Sequence, residues 1–202
     1  MQLMDTVLIV DDESAIREIF TLYLERKGFK PHAASGGLEC LDLLKTQTPD
    51  LILLDLMMEP MDGWETLLGI RQYPPSSQIP VIIITGKQPT SEDILQYGGL
   101  IEDFIVKPVD FKIICESFHR IIENDRELVR EIDRIWNREQ DTGLLTEYAS
   151  LIRLVNVTKN LEKRLNDRQC IDQIPLKKLE ERLQELNKKL GFTEHLQEQN
   201  EA

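Results

Sequence analysis

The stretch Leu51–Gly63 reads LILLDLMMEPMDG, and it decides the fold class. Four aliphatic residues in succession lead directly into an acid, Asp55. Such an uninterrupted apolar run is typical of a strand that is buried on both faces of a parallel sheet. A lone carboxylate at the end of a buried strand is costly unless a partner compensates its charge. The stretch therefore predicts an α/β protein with a functional acid at the end of a strand.

The same alternation extends over the whole first half of the chain. Short β-rich runs alternate with amphipathic stretches whose apolar residues recur at helical spacing. The predicted strands are Thr6–Val10, Phe29–Ala34, Leu51–Asp55, Pro80–Thr85 and Asp103–Val106. The predicted helices between them are Ser14–Lys27, Gly36–Thr46, Gly63–Tyr73 and Ser91–Tyr97. Five such repeats predict a parallel sheet with helices on both faces.

Charged and hydroxyl residues stand where four of these strands end. Asp11 and Asp12 follow the first strand, Asp55 ends the third, Thr85 the fourth, and Lys107 follows the fifth. Binding sites in such sheets lie at the carboxyl ends of the strands. Three converging carboxylates repel one another unless a cation lies among them. Carboxylate oxygens without nearby His or Cys favour Mg2+.

This set of side chains is suited to the transfer of a phosphoryl group. Lys107 and the metal ion can neutralise phosphoryl oxygens, Thr85 can donate a hydrogen bond to one of them, and Asp55 can attack phosphorus in line. A strand-end aspartate alone often only caps the following turn. The five side chains in register favour the chemical interpretation.

Four motifs in this order resemble the receiver domain of two-component response regulators. They are VLIVDDE at Val7–Glu13, LILLDLMM with MDG between Leu51 and Gly63, IIITG at Ile82–Gly86 and VKP at Val106–Pro108. The resemblance covers roughly residues 4–122. It implies a flavodoxin-like sheet of five parallel strands in the order 2-1-3-4-5. It also implies that Asp55 accepts a phosphoryl group from a phosphohistidine of a sensor histidine kinase.

The resemblance further implies a role for each matching residue. Asp11 and Asp12 match the acidic metal pair, which would bind Mg2+ together with Asp55 and the backbone carbonyl of Met57. The remaining matches are Thr85 as the switch hydroxyl, Lys107 as the phosphate-binding lysine, and Phe104 as the switch aromatic. Such a protein is a phosphoacceptor in signalling, and the only reactions it catalyses are its own phosphorylation and dephosphorylation.

The second half of the chain is predicted to be helical, with little signal for strands. We expect a receiver domain over residues 1–122 and a helical coiled-coil or bundle extension over residues 123–202. Six apolar residues, with Asp125 filling one position, follow alternating steps of three and four and predict a long helix at about 109–139. They are Ile114, Phe118, Ile121, Leu128, Ile132 and Ile135. Such a helix buries its apolar positions only by pairing, so a homodimer is expected. Two further helices are predicted at about Leu144–Leu165 and at Leu176–Leu190, to fold back into a bundle.

Composition limits the possible partners and compartments. The net charge of the 202 residues is −12, which argues against non-specific binding to nucleic acid or anionic membranes. The N-terminus becomes acidic at once, so no signal peptide is predicted, and no apolar run approaches the ~20 residues of a membrane span. The three cysteines have no metal or redox spacing. A cytoplasmic protein is therefore expected.

Two other functions remain open on the sequence. A transcriptional regulator with a divergent helical DNA-binding output would use the basic residues of the second half, where Lys159, Lys163, Arg164 and Arg168 cluster. No clear helix-turn-helix pattern supports it, so a nucleic-acid partner is not expected. A small phosphatase would also use an aspartate nucleophile. That class usually places a second acid two residues after the first, where this chain has Met57.

Overall fold

The computed structural model describes residues 5–121, 142–165, 171 and 173–190. Its centre is one parallel sheet of five strands in the order β2-β1-β3-β4-β5. The strands are β1 (Thr6–Val10), β2 (Lys30–Ala34), β3 (Leu51–Leu54), β4 (Val81–Thr85) and β5 (Asp103–Val106). The predicted fold class, strand order and flanking helices are confirmed.

Helices cover both faces of the sheet. They are α1 (Ser14–Arg26), α2 (Gly37–Leu43), α3 (Gly63–Gln72), α4 (Ser91–Tyr97) and α5, the helical residues 111–121. A 3-10 turn, Gly98–Leu100, joins α4 to β5. Alternate residues of β1 belong to opposite cores: Leu8 and Val10 pack with α2, α3 and α4, while Val7 and Ile9 pack with α1 and α5. This double burial explains why the strands are apolar throughout.

Two helices of the second half extend the fold, one packed on the sheet domain and the other packed on that helix. Helix α6 (Thr142–Arg164) lies along β5, the 3-10 turn and α4, and helix α7 (Leu176–Leu190) packs on α6. Val157 and Leu161 of α6 are buried in the same apolar cluster as Phe104. Tyr148 of α6 is buried against α7. Helix α6 is thus covered on two sides, by the sheet domain and by α7.

The apolar pattern that was predicted to pair with a second helix packs inside the sheet domain over its first three positions. Ile114, Phe118 and Ile121 are buried in the core beside α1 rather than on an unpaired helix face. Leu128, Ile132 and Ile135 lie outside the described residues. The three-four spacing marks an apolar helix face, but it does not distinguish a neighbouring sheet from a second helix.

Helix α2 ends three residues before the predicted limit. The backbone N–H groups of both Thr46 and Gln47 donate to the Leu43 carbonyl, at 3.0 and 2.9 Å. The Thr46 hydroxyl also donates to that carbonyl. These local bonds turn the chain away from the helix axis before β3 begins.

No helix within the described ranges is long and apolar enough to cross a membrane.

Candidate phosphoacceptor site

Three acids meet at the carboxyl edge of the sheet, directly after β1 and β3. Asp11, Asp12 and Asp55 bring carboxylate oxygens within 4.8 Å of one another. Asp11 and Asp55 are each 4% exposed, whereas Asp12 faces solvent. The backbone N–H of Asp55 donates to the Val10 carbonyl at 2.9 Å, which continues the pairing of β1 with β3 and holds the two strand ends side by side.

Lys107 joins the two buried carboxylates. Its Nζ donates to Asp11 Oδ2 at 2.8 Å and to Asp55 Oδ2 at 2.9 Å. The backbone N–H of Lys107 donates to the Thr85 carbonyl at 2.7 Å, so the residue is held to the end of β4 as well. The ammonium group of Lys107 therefore connects the ends of β1 and β3, and its backbone N–H connects the same residue with the end of β4.

Burial and hydrogen bonding have opposing effects on the pKa values of Asp11 and Lys107. Burial raises the pKa of the Asp11 carboxyl, and hydrogen bonds from Lys107 and from the Glu13 N–H oppose that rise without cancelling it. Burial alone would lower the pKa of Lys107, but its hydrogen bonds to Asp11 and Asp55 and their charges outweigh burial and raise it. Lys107 therefore carries its positive charge at neutral pH.

Turns after each strand orient the acids. The Glu13 N–H donates to Asp11 Oδ1 at 2.9 Å, and the Met57 N–H donates to Asp55 Oδ1 at 3.2 Å. Gly63, the last residue of the MDG motif, packs on the backbone that follows Asp55. A Cβ there would lie only 2.6 Å from Leu56 Cα, so the close approach requires glycine. The Met57 side chain itself is exposed.

The two remaining predicted residues, Thr85 and Phe104, are fully buried in β4 and β5. Thr85 is fully buried at the end of β4, and its Oγ1 accepts from the Lys87 N–H at 3.3 Å. Phe104 is fully buried in β5, with its ring centroid 6.3 Å from that of Trp64. Trp64 in turn stacks on Tyr97 of α4 at 4.2 Å. An aromatic path thus connects β5 with α3 and α4.

Arg17 is a positioning residue that the sequence reasoning missed. Its Nη1 donates to the backbone carbonyls of Asp11 at 2.7 Å and Asp12 at 2.9 Å. The guanidinium therefore holds the loop that carries two of the acids. Its position in the sequence could have indicated this role, because Arg17 lies near the start of α1, six residues after Asp11 and five after Asp12.

The charge balance of the site indicates what it can bind. Three carboxylates and one ammonium leave a local charge of about −2 when all are ionised. Oxygen ligands at this charge fit a divalent cation such as Mg2+. Lys107, which bonds to two of these acids, and the Thr85 hydroxyl at the end of the neighbouring strand β4 are groups that can bind the oxygens of a transferred phosphoryl group.

Residues 7–119 match the family model of the response regulator receiver domain. The chain is 33% identical over 119 residues to the transcriptional regulatory protein AfsQ1 of Streptomyces coelicolor, covering 59% of this chain and 52% of that protein. The chain spans about half the length of the curated relatives it matches.

Solved structures match a similar share of the chain. The N-terminal domain of a response regulator receiver protein from Methanoculleus marisnigri is 44% identical, with a TM-score of 0.50, over 59% of this chain and 97% of that one. The response regulator TrrA of Thermotoga maritima, solved in complex with Mg2+ and BeF, is 26% identical, with a TM-score of 0.52, over 58% of this chain and 98% of that one.

Proposed function

Because this chain belongs to the response regulator receiver family, a family of signalling proteins rather than classical enzymes, we propose that Asp55 is its phosphoacceptor. The donor would be a phosphohistidine on a sensor histidine kinase. The single observation that carries the proposal is the contact of Lys107 Nζ with both Asp11 and Asp55 at the sheet edge. The contact supports the proposal because it brings one cation to the proposed nucleophile and to an acid that we propose as a metal ligand.

The donor set fits a magnesium ion. Asp11, Asp12 and Asp55 offer carboxylate oxygens within 4.8 Å of one another, and the Met57 carbonyl follows Asp55 by two residues. The TrrA structure, with its Mg2+ and BeF, supports the same use here. When bound, the ion would supply positive charge that offsets the negative oxygens of the phosphoryl group.

The residues of this chain divide the transfer between them. A carboxylate oxygen of Asp55 attacks phosphorus, a new O–P bond forms, and the P–N bond of the phosphohistidine breaks. The histidine nitrogen keeps the electron pair of that bond. Lys107 holds a phosphoryl oxygen through its ammonium group, and the Thr85 hydroxyl donates to another oxygen. Burial of Asp55 limits access of water to the acyl phosphate.

The second half of the chain would carry the response. We assign residues 1–122 to the receiver and residues 123–202 to its helical extension. Phosphorylation draws Thr85 toward the phosphoryl group and rearranges the surface near Phe104, which changes which dimer or partner contacts are stable. A homodimer formed through the extension is the expected output.

A DNA-binding output is the second candidate, since the curated relatives are named transcriptional regulatory proteins. The contacts of the basic cluster weaken it. Lys159 pairs with Glu180 at 2.8 Å, and Arg164 pairs with the buried Asp103 at 3.0 Å. These two cations are therefore engaged within the chain. A band shift with salt titration separates the candidates, because sequence-selective binding at physiological salt would favour the DNA-binding output.

Mass spectrometry tests the phosphoacceptor directly. Incubation of the full chain with a small phosphodonor and Mg2+ is expected to add one phosphoryl group, and Asp55→Asn is expected to abolish it. Asp42→Asn is the matched control, since Asp42 is exposed in α2 and pairs only with Lys45 among the described residues. Continued labelling of Asp55→Asn at the rate of the unmodified chain would refute the assignment.

A further inference from the structure

The acceptor loop, as we call residues 56–62, leads from the end of β3 into α3 and contains the carbonyl of Met57 that we propose as a metal ligand. The backbone N–H of Gly63 donates to the Leu56 carbonyl at 3.1 Å and closes the loop at its base. The side chains of Leu56 and Met58 are each 5% exposed and pack in an apolar cluster of the core. The first half of the loop is therefore fixed by hydrogen bonding and by burial.

Thr66 of α3 holds the far end of the acceptor loop. It is fully buried, and its Oγ1 donates to the Asp62 carbonyl at 2.7 Å, while its backbone N–H donates to the same carbonyl at 3.0 Å. Asp62 also caps α3, because its carboxylate accepts from the Glu65 N–H at 2.8 Å and its own N–H donates to Glu65 Oε2 at 3.2 Å. The last residue of the loop is thus attached to the first turn of α3, and one of these attachments is the buried hydroxyl of Thr66.

The start of α2 packs against the same hydroxyl from the other side. A Cβ on Gly37 would overlap Thr66 Oγ1 and would lie 2.8 Å from Met61 Sδ. Gly37 is a residue of helix α2, so glycine is needed there for space and not for an unusual backbone conformation. Thr66 and the Met61 side chain of the acceptor loop are therefore held between α2 and α3.

The acceptor loop is also attached to the acid that precedes it. The Met57 N–H donates to Asp55 Oδ1 at 3.2 Å, so the backbone of Met57 and the carboxylate of Asp55 keep one relative position. Mg2+ is a demanding ion, because it requires near-octahedral geometry with oxygen distances of about 2.0–2.1 Å, whereas Ca2+ accepts irregular geometry at about 2.3–2.6 Å. A shift of the loop that moves the Met57 carbonyl therefore weakens Mg2+ binding more than Ca2+ binding.

We propose that Thr66 is a positioning residue for metal binding, whose hydroxyl fixes the acceptor loop through Asp62 and so keeps the Met57 carbonyl where a Mg2+ ion needs it. The inference rests on the proposed function, because it concerns the metal ion of that site. Thr66 acts through the loop and not as a ligand. Groups that orient the ligands of a metal ion typically change the affinity 10- to 100-fold when they are removed, by roughly the amount expected here.

Calorimetric titration of the 202-residue chain with Mg2+ and with Ca2+ tests the inference. Thr66→Val removes the hydroxyl and keeps the shape of the side chain. We expect the dissociation constant for Mg2+ to rise about tenfold and that for Ca2+ to rise less. Thr66→Ser keeps the hydroxyl and is expected to bind Mg2+ like the unmodified chain. Equal weakening of both ions in Thr66→Val, or a Thr66→Ser variant as weak as Thr66→Val, overturns the inference.

Thr158→Val is the matched control for a loss of stability. Thr158 is also fully buried in a helix, α6, and its Oγ1 donates to the carbonyl four residues earlier, that of Leu154, at 2.8 Å. Urea unfolding is expected to show a similar loss of stability in Thr158→Val and Thr66→Val, but Thr158→Val should keep the Mg2+ affinity of the unmodified chain. If it weakens Mg2+ binding as much as Thr66→Val, the effect is a general loosening of the fold and the inference is overturned.

A substitution in α2 tests the same position with the hydroxyl intact. Gly37→Ala places a methyl group against Thr66 and Met61, and it is expected to weaken Mg2+ binding about tenfold and Ca2+ binding less. Gly36→Ala is its control and should bind both ions normally, since its Cβ would meet nothing closer than the Glu59 carbonyl oxygen at 4.0 Å. Normal Mg2+ affinity in Gly37→Ala overturns the inference, even where Thr66→Val does not fold.

The unmodified chain separates this inference from the function on which it rests. If the unmodified chain binds no Mg2+, the proposed metal site fails and the positioning role of Thr66 fails with it. If the unmodified chain binds Mg2+ and Thr66→Val binds it equally well, the proposed function stands and only the positioning role is overturned.

Discussion

The guanidinium of Arg164 lies 3.0 Å from the carboxylate of Asp103, which is fully buried in β5. Arg120 of α5 reaches the same carboxylate at 2.7 Å, and Ser117 donates to it at 2.5 Å. One acid therefore connects the edge strand with α5 and α6. Asn160 of α6 donates to it as well, at 3.4 Å. Four donor side chains on one buried acceptor explain how a charge is tolerated at the margin of an apolar core.

Removal of this acid is expected to destabilise the chain strongly. Asp103→Ala leaves Arg120 and Arg164 without their shared acceptor, and we expect the free energy of unfolding to fall by about 3 kcal/mol. Urea unfolding followed by circular dichroism measures the change. Asp42→Ala, an exposed acid in a surface ion pair, is the control and is expected to stay within about 0.5 kcal/mol. Equal stabilities of the two variants would show that the buried network is not important for folding.

The same acid makes stability depend on pH on the acid side. Burial raises the pKa of the Asp103 carboxyl, but Arg120, Arg164 and Ser117 outweigh burial and hold that pKa below its usual value. A depressed pKa contributes stability above the unfolded value of about 4, and that contribution is lost as pH falls toward the folded value. Asp103→Asn is therefore expected to have a shallower loss of stability below about pH 4 than the unmodified chain. Thermal unfolding at several pH values measures both slopes, and parallel slopes would contradict the prediction.

Lys107 is expected to matter for the phosphoryl group rather than for the metal ion. Lys107→Ala removes one positive charge beside three carboxylates, so Mg2+ affinity measured by calorimetry should stay the same or rise a few-fold. The response to phosphorylation, followed as the change in hydrogen exchange, should be lost. Lys45→Ala, in the exposed turn that follows α2, is the control. A large loss of Mg2+ affinity in Lys107→Ala would indicate that the lysine supports the metal site instead.

Arg17 is expected to support the metal site through the loop it holds. Arg17→Ala removes two hydrogen bonds to the carbonyls of Asp11 and Asp12, each worth about 1 kcal/mol. We expect Mg2+ affinity to fall several-fold, because the two acids lose their fixed positions. Arg26→Ala, exposed in the last turn of α1, should leave the affinity unchanged. If both arginine variants bind Mg2+ like the unmodified chain, the loop does not need Arg17.

Much of the fold could be predicted from the sequence because buried parallel strands carry a strong local signal. The runs at Thr6–Val10, Ser91–Tyr97, Asp103–Val106 and Leu176–Leu190 have the predicted limits. The convergence of Asp11, Asp55 and Lys107 also followed from the rule that parallel strands bring their carboxyl ends to one edge. Where topology alone determines proximity, the sequence is sufficient.

The contacts between distant elements could not be predicted in the same way. The sequence predicts Asp103 only as the first residue of a strand. No local pattern indicates that it pairs with Arg120 and Arg164, which lie 17 and 61 residues later in the chain. The apolar spacing of Ile114 and Phe118 indicated a helix face but not what covers it. Arg17 acts through its long side chain on backbone carbonyls, a contact that no spacing rule identifies.

The packing of α6 also determines how much of this protein can stand alone. A polypeptide shortened to end at Ile121 would expose the apolar surface around Ile94, Ile101 and Phe104 that α6 covers in the 202-residue chain. It would also leave Asp103 with Arg120 as its remaining guanidinium among the described residues. Such a fragment is expected to self-associate and to express poorly, so studies of signalling in this chain need the C-terminal helices in place.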